Sequence, residues 1–175
     1  KAGGKFRLGM GHGSTTDSLD PGTSENGMSQ NVIFAYANHL TEVSKEGELI
    51  PELASEYGAS ADAKTWTFKI RQGVTFHDGK ALTPADVVAS FRFHMGEDTK
   101  SAGKSLLADV TNIAINGGDV VFTLANSSAD FAFIVSDYHF PILPERDGQL
   151  DWAAGIGTGG YIMESYEPGV RAKLY

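Results

Sequence analysis

Ile50-Pro51-Glu52-Leu53-Ala54-Ser55-Glu56-Tyr57, then Thr65-Trp66-Thr67-Phe68-Lys69-Ile70-Arg71, then Gly73-Val74-Thr75-Phe76-His77-Asp78-Gly79-Lys80, and finally Leu82-Thr83-Pro84-Ala85-Asp86-Val87-Val88-Ala89-Ser90-Phe91 decide how this chain folds. Thr65 to Ile70 alternates polar and apolar residues. Successive strand side chains point to opposite faces, so this is a half-buried strand with Trp66, Phe68 and Ile70 inward. Leu49 to Ala54 reads as a short buried segment before it. Gln72-Gly73 and Asp78-Gly79 are turns around Val74-Thr75-Phe76. Thr83-Pro84-Ala85-Asp86 starts a helix: Thr83 caps, Pro84 takes the first helical position, and the Asp86 carboxylate sits near the positive end of the helix dipole. Val87, Val88 and Phe91 form its apolar face.

The pattern extends outward in both directions. Lys5 to Met10 alternates and predicts a first strand, broken by Gly11-His12-Gly13-Ser14-Thr15-Thr16 and by the turn Asp20-Pro21-Gly22. Met28 to Leu40 predicts a helix, capped by Ser24 or Asn26, and Lys45-Glu46-Gly47 a tight turn between short strands. Val110 to Ile115 and Val120 to Leu124 flank Asn116-Gly117-Gly118-Asp119 as a hairpin. Ser128 is placed to cap a short helix from Ala129 to Ser136, and Pro141 and Pro144 impose an extended segment. Tyr161 to Tyr166 and Val170 to Tyr175 predict a last hairpin around Pro168-Gly169. The chain stops inside that second strand, which reads as a cut rather than a natural end. Many short strands with three or four helices predict a mixed α+β fold.

Composition excludes several function classes. Of the 175 residues 41% are hydrophobic, which sustains a packed core. Acidic residues number 22 and basic residues 14, a net charge of −8 that repels phosphate backbones and anionic membranes, so nucleic acid is not an expected partner. No apolar run approaches the roughly 20 residues that span a bilayer. Cysteine is absent, which removes disulfides, thiolate catalysis and cysteine zinc sites. The five histidines, His12, His39, His77, His94 and His139, form no i,i+4 pair and no H-E-x-x-H, so no metal site is expected. There is no G-x-S-x-G and no spacing that implies a triad. The carboxylate pairs Asp17 with Asp20 and Asp147 with Asp151 read as loop charges or caps. Gly155-Ile156-Gly157-Thr158-Gly159-Gly160 satisfies G-x-G-x-x-G, but a dinucleotide site needs a strand before it and a helix after it. Trp152-Ala153-Ala154 precedes and a β pattern follows, so a flexible crossover is expected.

The quoted stretch resembles the signature of solute-binding protein family 5, the dipeptide, oligopeptide and nickel binders of ABC importers. Asp20-Pro21 looks like that family's opening, and Gly157-Thr158-Gly159-Gly160-Tyr161 resembles its Gly-Thr-Gly-Pro-Tyr loop, with Gly160 in place of proline. Tyr36-Ala37-Asn38-His39-Leu40 departs from the usual Tyr-Glu-Gly-Leu. The resemblance implies the N-terminal part of a type II periplasmic-binding-protein clamshell. On this reading 1–43 is a first-lobe segment, 44–154 an inserted α+β subdomain able to fold alone, and 155–175 the return to the first lobe. It also implies peptide capture without catalysis or cofactor, an ABC permease as partner, and a periplasmic or lipid-anchored extracytoplasmic location, with no signal peptide in the chain. Nickel chelate, haem or oligosaccharide is the alternative cargo, and a catalytic or sensory domain the distant alternative. The unpaired last strand is expected to invite self-association.

Most of the family block explains scaffold rather than site. The ligand-facing candidates lie elsewhere. His12, Gly13, Ser14 and Thr15 leave the carboxyl end of the predicted first strand, where glycine lets a ligand backbone approach and hydroxyls can bond it. An ordinary polar loop is the other reading of the same residues. Met28 and Ser29 match a cleft-facing stretch of the family, and methionine adapts to varied side chains. Tyr138 and His139 stand before the proline segment, at a position that approaches ligand in relatives. Core packing is their alternative.

Overall fold

The computed structural model describes residues 3–175. In chain order they form α1 (Gly27–Tyr36), β1 (Thr41–Val43), β2 (Leu49–Pro51), β3 (Ala54–Ala59), β4 (Thr65–Ile70), α2 (Pro84–Phe93), a 3₁₀ turn (Ala102–Leu107), β5 (Val110–Asn116), β6 (Asp119–Leu124), α3 (Phe131–Ile134), β7 (Glu145–Arg146), β8 (Gln149–Leu150), β9 (Met163–Glu167) and β10 (Arg171–Leu174). The fold is mixed α+β. Its centre is a four-stranded antiparallel sheet in the order β3-β4-β6-β5.

The alternation in Thr65–Ile70 does what its period requires. Trp66, Phe68 and Ile70 are buried, and β4 pairs with β6 so that Trp66 faces Phe122 and Phe68 faces Val120. The buried rings then form a lattice. Phe122 meets Phe68 at 5.5 Å and Phe91 of α2 at 4.9 Å, both edge to face, and Phe131 lies 5.2 Å away. Edge-to-face contact sets the positive rim of one ring on the negative face of another, which adds to area burial. The Trp66 indole N–H donates to the Ser128 carbonyl at 3.1 Å, so no polar atom of this ring is stranded.

Asp86 ties the helix to this core more widely than a dipole argument foresees. Fully buried, its carboxylate accepts from the Thr83 N–H and hydroxyl at 2.8 Å each, the Lys80 ammonium at 2.5 Å and the Glu145 N–H at 2.7 Å. A buried charge persists only when surrounded by donors, and here the donors come from the helix start, the turn before it and β7.

A second, smaller core gathers Leu19, Val32, Ile33, Tyr36, Ala37 and Leu143, with Met28, Leu150, Trp152, Met163 and Tyr166 against it. It packs α1 onto the β9–β10 hairpin. The crossover 155–160 joins the two cores at the end of α1. A Cβ on Gly159 would lie 2.6 Å from the Tyr36 carbonyl carbon, and Gly157 presses on the same carbonyl. Glycine is required there because backbone touches backbone. The Gly159 N–H donates to the Tyr36 carbonyl at 2.8 Å, the His77 N–H donates to Gly157 at 2.9 Å, and the His77 ring meets the Gly159 carbonyl at 2.9 Å. This crossover is a clasp, with no helix at its end.

Three expectations change. Lys5 to Met10 forms no strand: the segment pairs with nothing among the described residues, and Phe6 is 87% exposed. A strand is stable only through a neighbour, so alternation alone does not make one. The first helix begins at Gly27 and stops at Tyr36, with Ala37 extended. Tertiary bonds win over helix there, because the His39 and Leu40 carbonyls accept from Leu53, Glu52 and Ala54, while Asn38 bridges to Ile142. The predicted helix over 129–136 contracts to Phe131–Ile134, because Ser128 is occupied by Ala63 and Trp66 and Asp130 takes the cap position.

Phe91→Ala is expected to cost about 3–5 kcal/mol of unfolding free energy, because it empties the middle of the ring lattice. Phe6→Ala is expected to change it by less than ~0.5 kcal/mol. Urea unfolding of the two variants checks this contrast, and equal losses would contradict it.

Candidate functional site

The candidates fall into two groups, the loop after Met10 with the start of α1, and Tyr138 with His139. The loop after Met10 is built by Asp17, whose carboxylate accepts the Ser14 N–H at 2.8 Å and the Asn26 side-chain amide at 2.6 Å. Asn26 in turn caps α1 by accepting the Ser29 N–H at 3.0 Å. One carboxylate therefore fixes the loop to the start of the helix. Ser14 and Thr16 share a hydroxyl contact of 2.9 Å. His12, Gly13, Ser14 and Thr15 are exposed, and Met28 beneath them is half-buried, its Cγ 3.6 Å from where a Gly13 Cβ would stand. The β9–β10 turn closes the other side: Gly169, at φ 69°, would place a Cβ 2.6 Å from the Thr15 nitrogen. Ser29 is buried, with its N–H given to Asn26 and its hydroxyl against the Tyr166 phenol.

The segment 20–26 links this loop to Tyr138. Burial pushes the Asp20 carboxyl up, against the pull of the Gly22 N–H. The Gly22 carbonyl accepts from Ala102 of the 3₁₀ turn at 2.9 Å. Tyr138 is half-exposed, and burial together with the carboxylates of Asp137 and Glu25 pushes its phenol up. His139 is only 5% exposed and lies under Tyr138, with ring centroids 4.0 Å apart and Nδ1 2.7 Å from Asp137. The structure thus brings His12 to Thr15 and Met28 together with Ser29 behind them, and separately sets Tyr138 over the buried His139. Asp17, Asn26 and Asp137 were missed as builders of these groups. The signal available was spacing: an acid three residues after Ser14, an Asn three before Ser29, an acid two before His139.

The two groups present backbone groups, hydroxyls, one flexible thioether and one phenol. Such a surface can hold an extended, polar guest reversibly. Among the described residues no cluster of three His, Asp or Glu could hold a metal ion. A groove of about 670 Å³ lies instead along α2, lined by Val88, Arg92, Phe93, Ile115, Leu150 and Trp152 among others, and contains none of the candidates. Among the described residues, no helix is long and apolar enough to cross a membrane.

Residues 48–175 match the model of the bacterial extracellular solute-binding proteins, family 5 Middle, and the chain belongs to that family. Protein XP55 of Streptomyces lividans is 33% identical over 93% of this chain and 30% of its own length. The oligopeptide-binding protein OppA of Bacillus subtilis is 26% identical, over 94% of this chain and 34% of its own length. Among solved structures, the binding protein AgaA of A. tumefaciens R10 in complex with agropinic acid superposes with a TM-score of 0.81 at 26% identity, over 93% of this chain and 34% of that one. The fold is accordingly that of a part of a type II periplasmic binding protein, and the chain spans about a third of the length of the curated relatives it matches.

Asp17→Ala is expected to loosen the loop by about 1 kcal/mol, read as a roughly fivefold faster amide exchange at Ser14 with α2 unchanged. Unaltered exchange at Ser14 would contradict the role given to this carboxylate.

Proposed function

We propose that this chain is part of the substrate-binding component of a bacterial ABC importer, one that captures di- or oligopeptides outside the cytoplasmic membrane and delivers them to a permease. The observation that carries the reading is the rim itself. On this reading His12 to Thr15, Met28 and Tyr138 form one edge, and the bonds of Asp17, Asn26 and Asp137 support it by fixing the loop, the start of α1 and His139. An extended peptide presents main-chain donors and acceptors that such a loop can match, with water filling the gaps around varied side chains. The family membership and the oligopeptide-binding relative support peptide as cargo. No covalent step is invoked: the guest enters, a hinge between lobes closes, and the guest leaves unchanged.

On this reading 1–43 and 155–175 belong to one lobe and 44–154 is a subdomain inserted into it. The protein works in the periplasm or on a lipid anchor outside the membrane.

Calorimetry of the protein carrying both lobes is expected to give heat with di- to pentapeptides. Tyr138→Ala is expected to weaken binding roughly tenfold, about 1.4 kcal/mol, without altering the fold. Silence with every peptide beside a clear response to a nickel chelate, haem or an oligosaccharide would overturn peptide as the cargo.

A further inference from the structure

Directly beneath the rim lies a seam that the binding reading does not use. Three of the five histidines, His39, His94 and His139, are buried there at 3%, 0% and 5% exposure, each with an Nε2 that has no hydrogen-bond partner. They come from three different parts of the chain: the strap after α1, the end of α2 and the segment after α3. A buried polar atom without a partner is uncommon and costs stability, so three in one seam call for a reason.

The charged groups around these rings are few. Asp137 bonds His139 Nδ1 and also faces His39 and His94. Glu52 accepts the His39 backbone N–H at 2.6 Å, and the Tyr138 carbonyl faces the His39 ring. From α2, Arg92 directs its guanidinium to the Ile113 carbonyl; from the 3₁₀ turn, Lys104 directs its ammonium to the Gly96 and Glu97 carbonyls. Asp20 and Glu25, on the covering segment, engage Gly22 and face Tyr138 respectively. One carboxylate therefore serves three imidazoles, and His139 already holds it.

One hydroxyl joins His94 to the 3₁₀ turn. Ser101 Oγ accepts the Gly103 N–H at 3.1 Å and lies 2.6 Å from His94 Nδ1. Charging His94 makes both ring nitrogens donors, and Nε2, which has no partner, is then a buried unpaired donor of a charged ring. The rim rests on these same atoms. A Cβ on Gly22 would stand 3.0 Å from Ser101 Cβ, and Gly22 accepts the Ala102 N–H. The Tyr138 ring lies 4.0 Å from His139, centroid to centroid, tilted by 34°.

We propose that His39 and His94, packed around the Asp137–His139 pair, form an acid-operated latch: uncharged, they hold segment 20–26 and Tyr138 in place, and charging them releases both. The inference rests on the reading of this edge as the ligand-facing rim. Acid would then loosen the surface that grips the guest, while the ring lattice of the main core stays intact. The titration behaviour agrees in sign. Burial lowers His39 from 6.5 to about 4, against the pull of Asp137 and the Tyr138 carbonyl. Burial and then His139 lower His94 to about 4, against Asp137. The folded seam favours neutral His39 and His94, so their contribution is full above pH 6.5 and falls as pH drops from 6.5 toward 4.

The test is amide exchange of the 175-residue chain at pH 7.5 and 5.0, corrected for intrinsic chemistry, with NMR titration of the imidazoles. The expected result at pH 5.0 is a loss of protection of tenfold or more at 22–25 and 101–103, with β4 and α2 unchanged. His94→Gln, whose amide can bond the Ser101 hydroxyl in either direction but cannot charge, is expected to keep the pH 7.5 protection and to flatten the response. Uniform loss across the chain, no loss at 22–25, or His39 and His94 titrating near 6.5 would overturn the latch. Should His94→Gln fail to fold, the wild-type exchange and titrations decide alone. Peptide calorimetry at pH 7.5 tests the rim reading separately, so a rim that binds without a pH response refutes the latch only.

Discussion

The strap from Tyr36 to His39 is held from two sides, and the rest of the molecule depends on that grip. From one side Glu52 accepts the Asn38 side-chain amide and the His39 N–H. From the other, Gly157 and Gly159 press their backbones against Tyr36, and the Thr158 hydroxyl donates to Asn38 at 3.0 Å. Burial lifts the Glu52 carboxyl above its ordinary range, against the pull of those two donors. The strap is where the chain leaves one core and enters the other. The second core, built on α1 and the β9–β10 hairpin, shares no buried side chain with the core under the main sheet.

Position at the rim follows from this geometry. The clasp sets the end of α1; Asn26 and Asp17 then set its beginning and the loop above it. Leu143, buried in the second core, gives its N–H to the Ser90 hydroxyl of α2 at 3.1 Å, so the proline segment also ties the cores together. Tyr138 and His139 precede that segment, and their placement is inherited from it.

The legible parts of the fold were those whose signal is local. The alternation of Thr65 to Ile70, the helix start at Thr83 to Asp86 and the hairpin around Asn116 to Asp119 each carry their period or turn within a few residues, and the structure has all three. Lys5 to Met10 carried the same kind of alternation without a partner. The end of α1 could not be read, because what stops it is pairing with residues 51–54 and 142. The same holds for the rim. Gly13 to Thr15 stood out as glycine and hydroxyls, but their meeting with Met28 and Gly169 is a long-range fact. The buried histidines looked like scattered single residues, since nothing in their spacing shows that one carboxylate faces all three.

The central claim is that the Glu52 clasp is needed to keep the two cores unfolding together, the Leu143–Ser90 bond alone being too weak to do so. The chain has two tryptophans, Trp66 in the main core and Trp152 against the second, which makes the coupling measurable. Fluorine-labelled tryptophan NMR through a urea titration reports both at once. The account predicts one shared midpoint in the wild-type chain and two in Glu52→Ala, with Trp152 lost first. Midpoints already apart in the wild type, or still together in the variant, would contradict it.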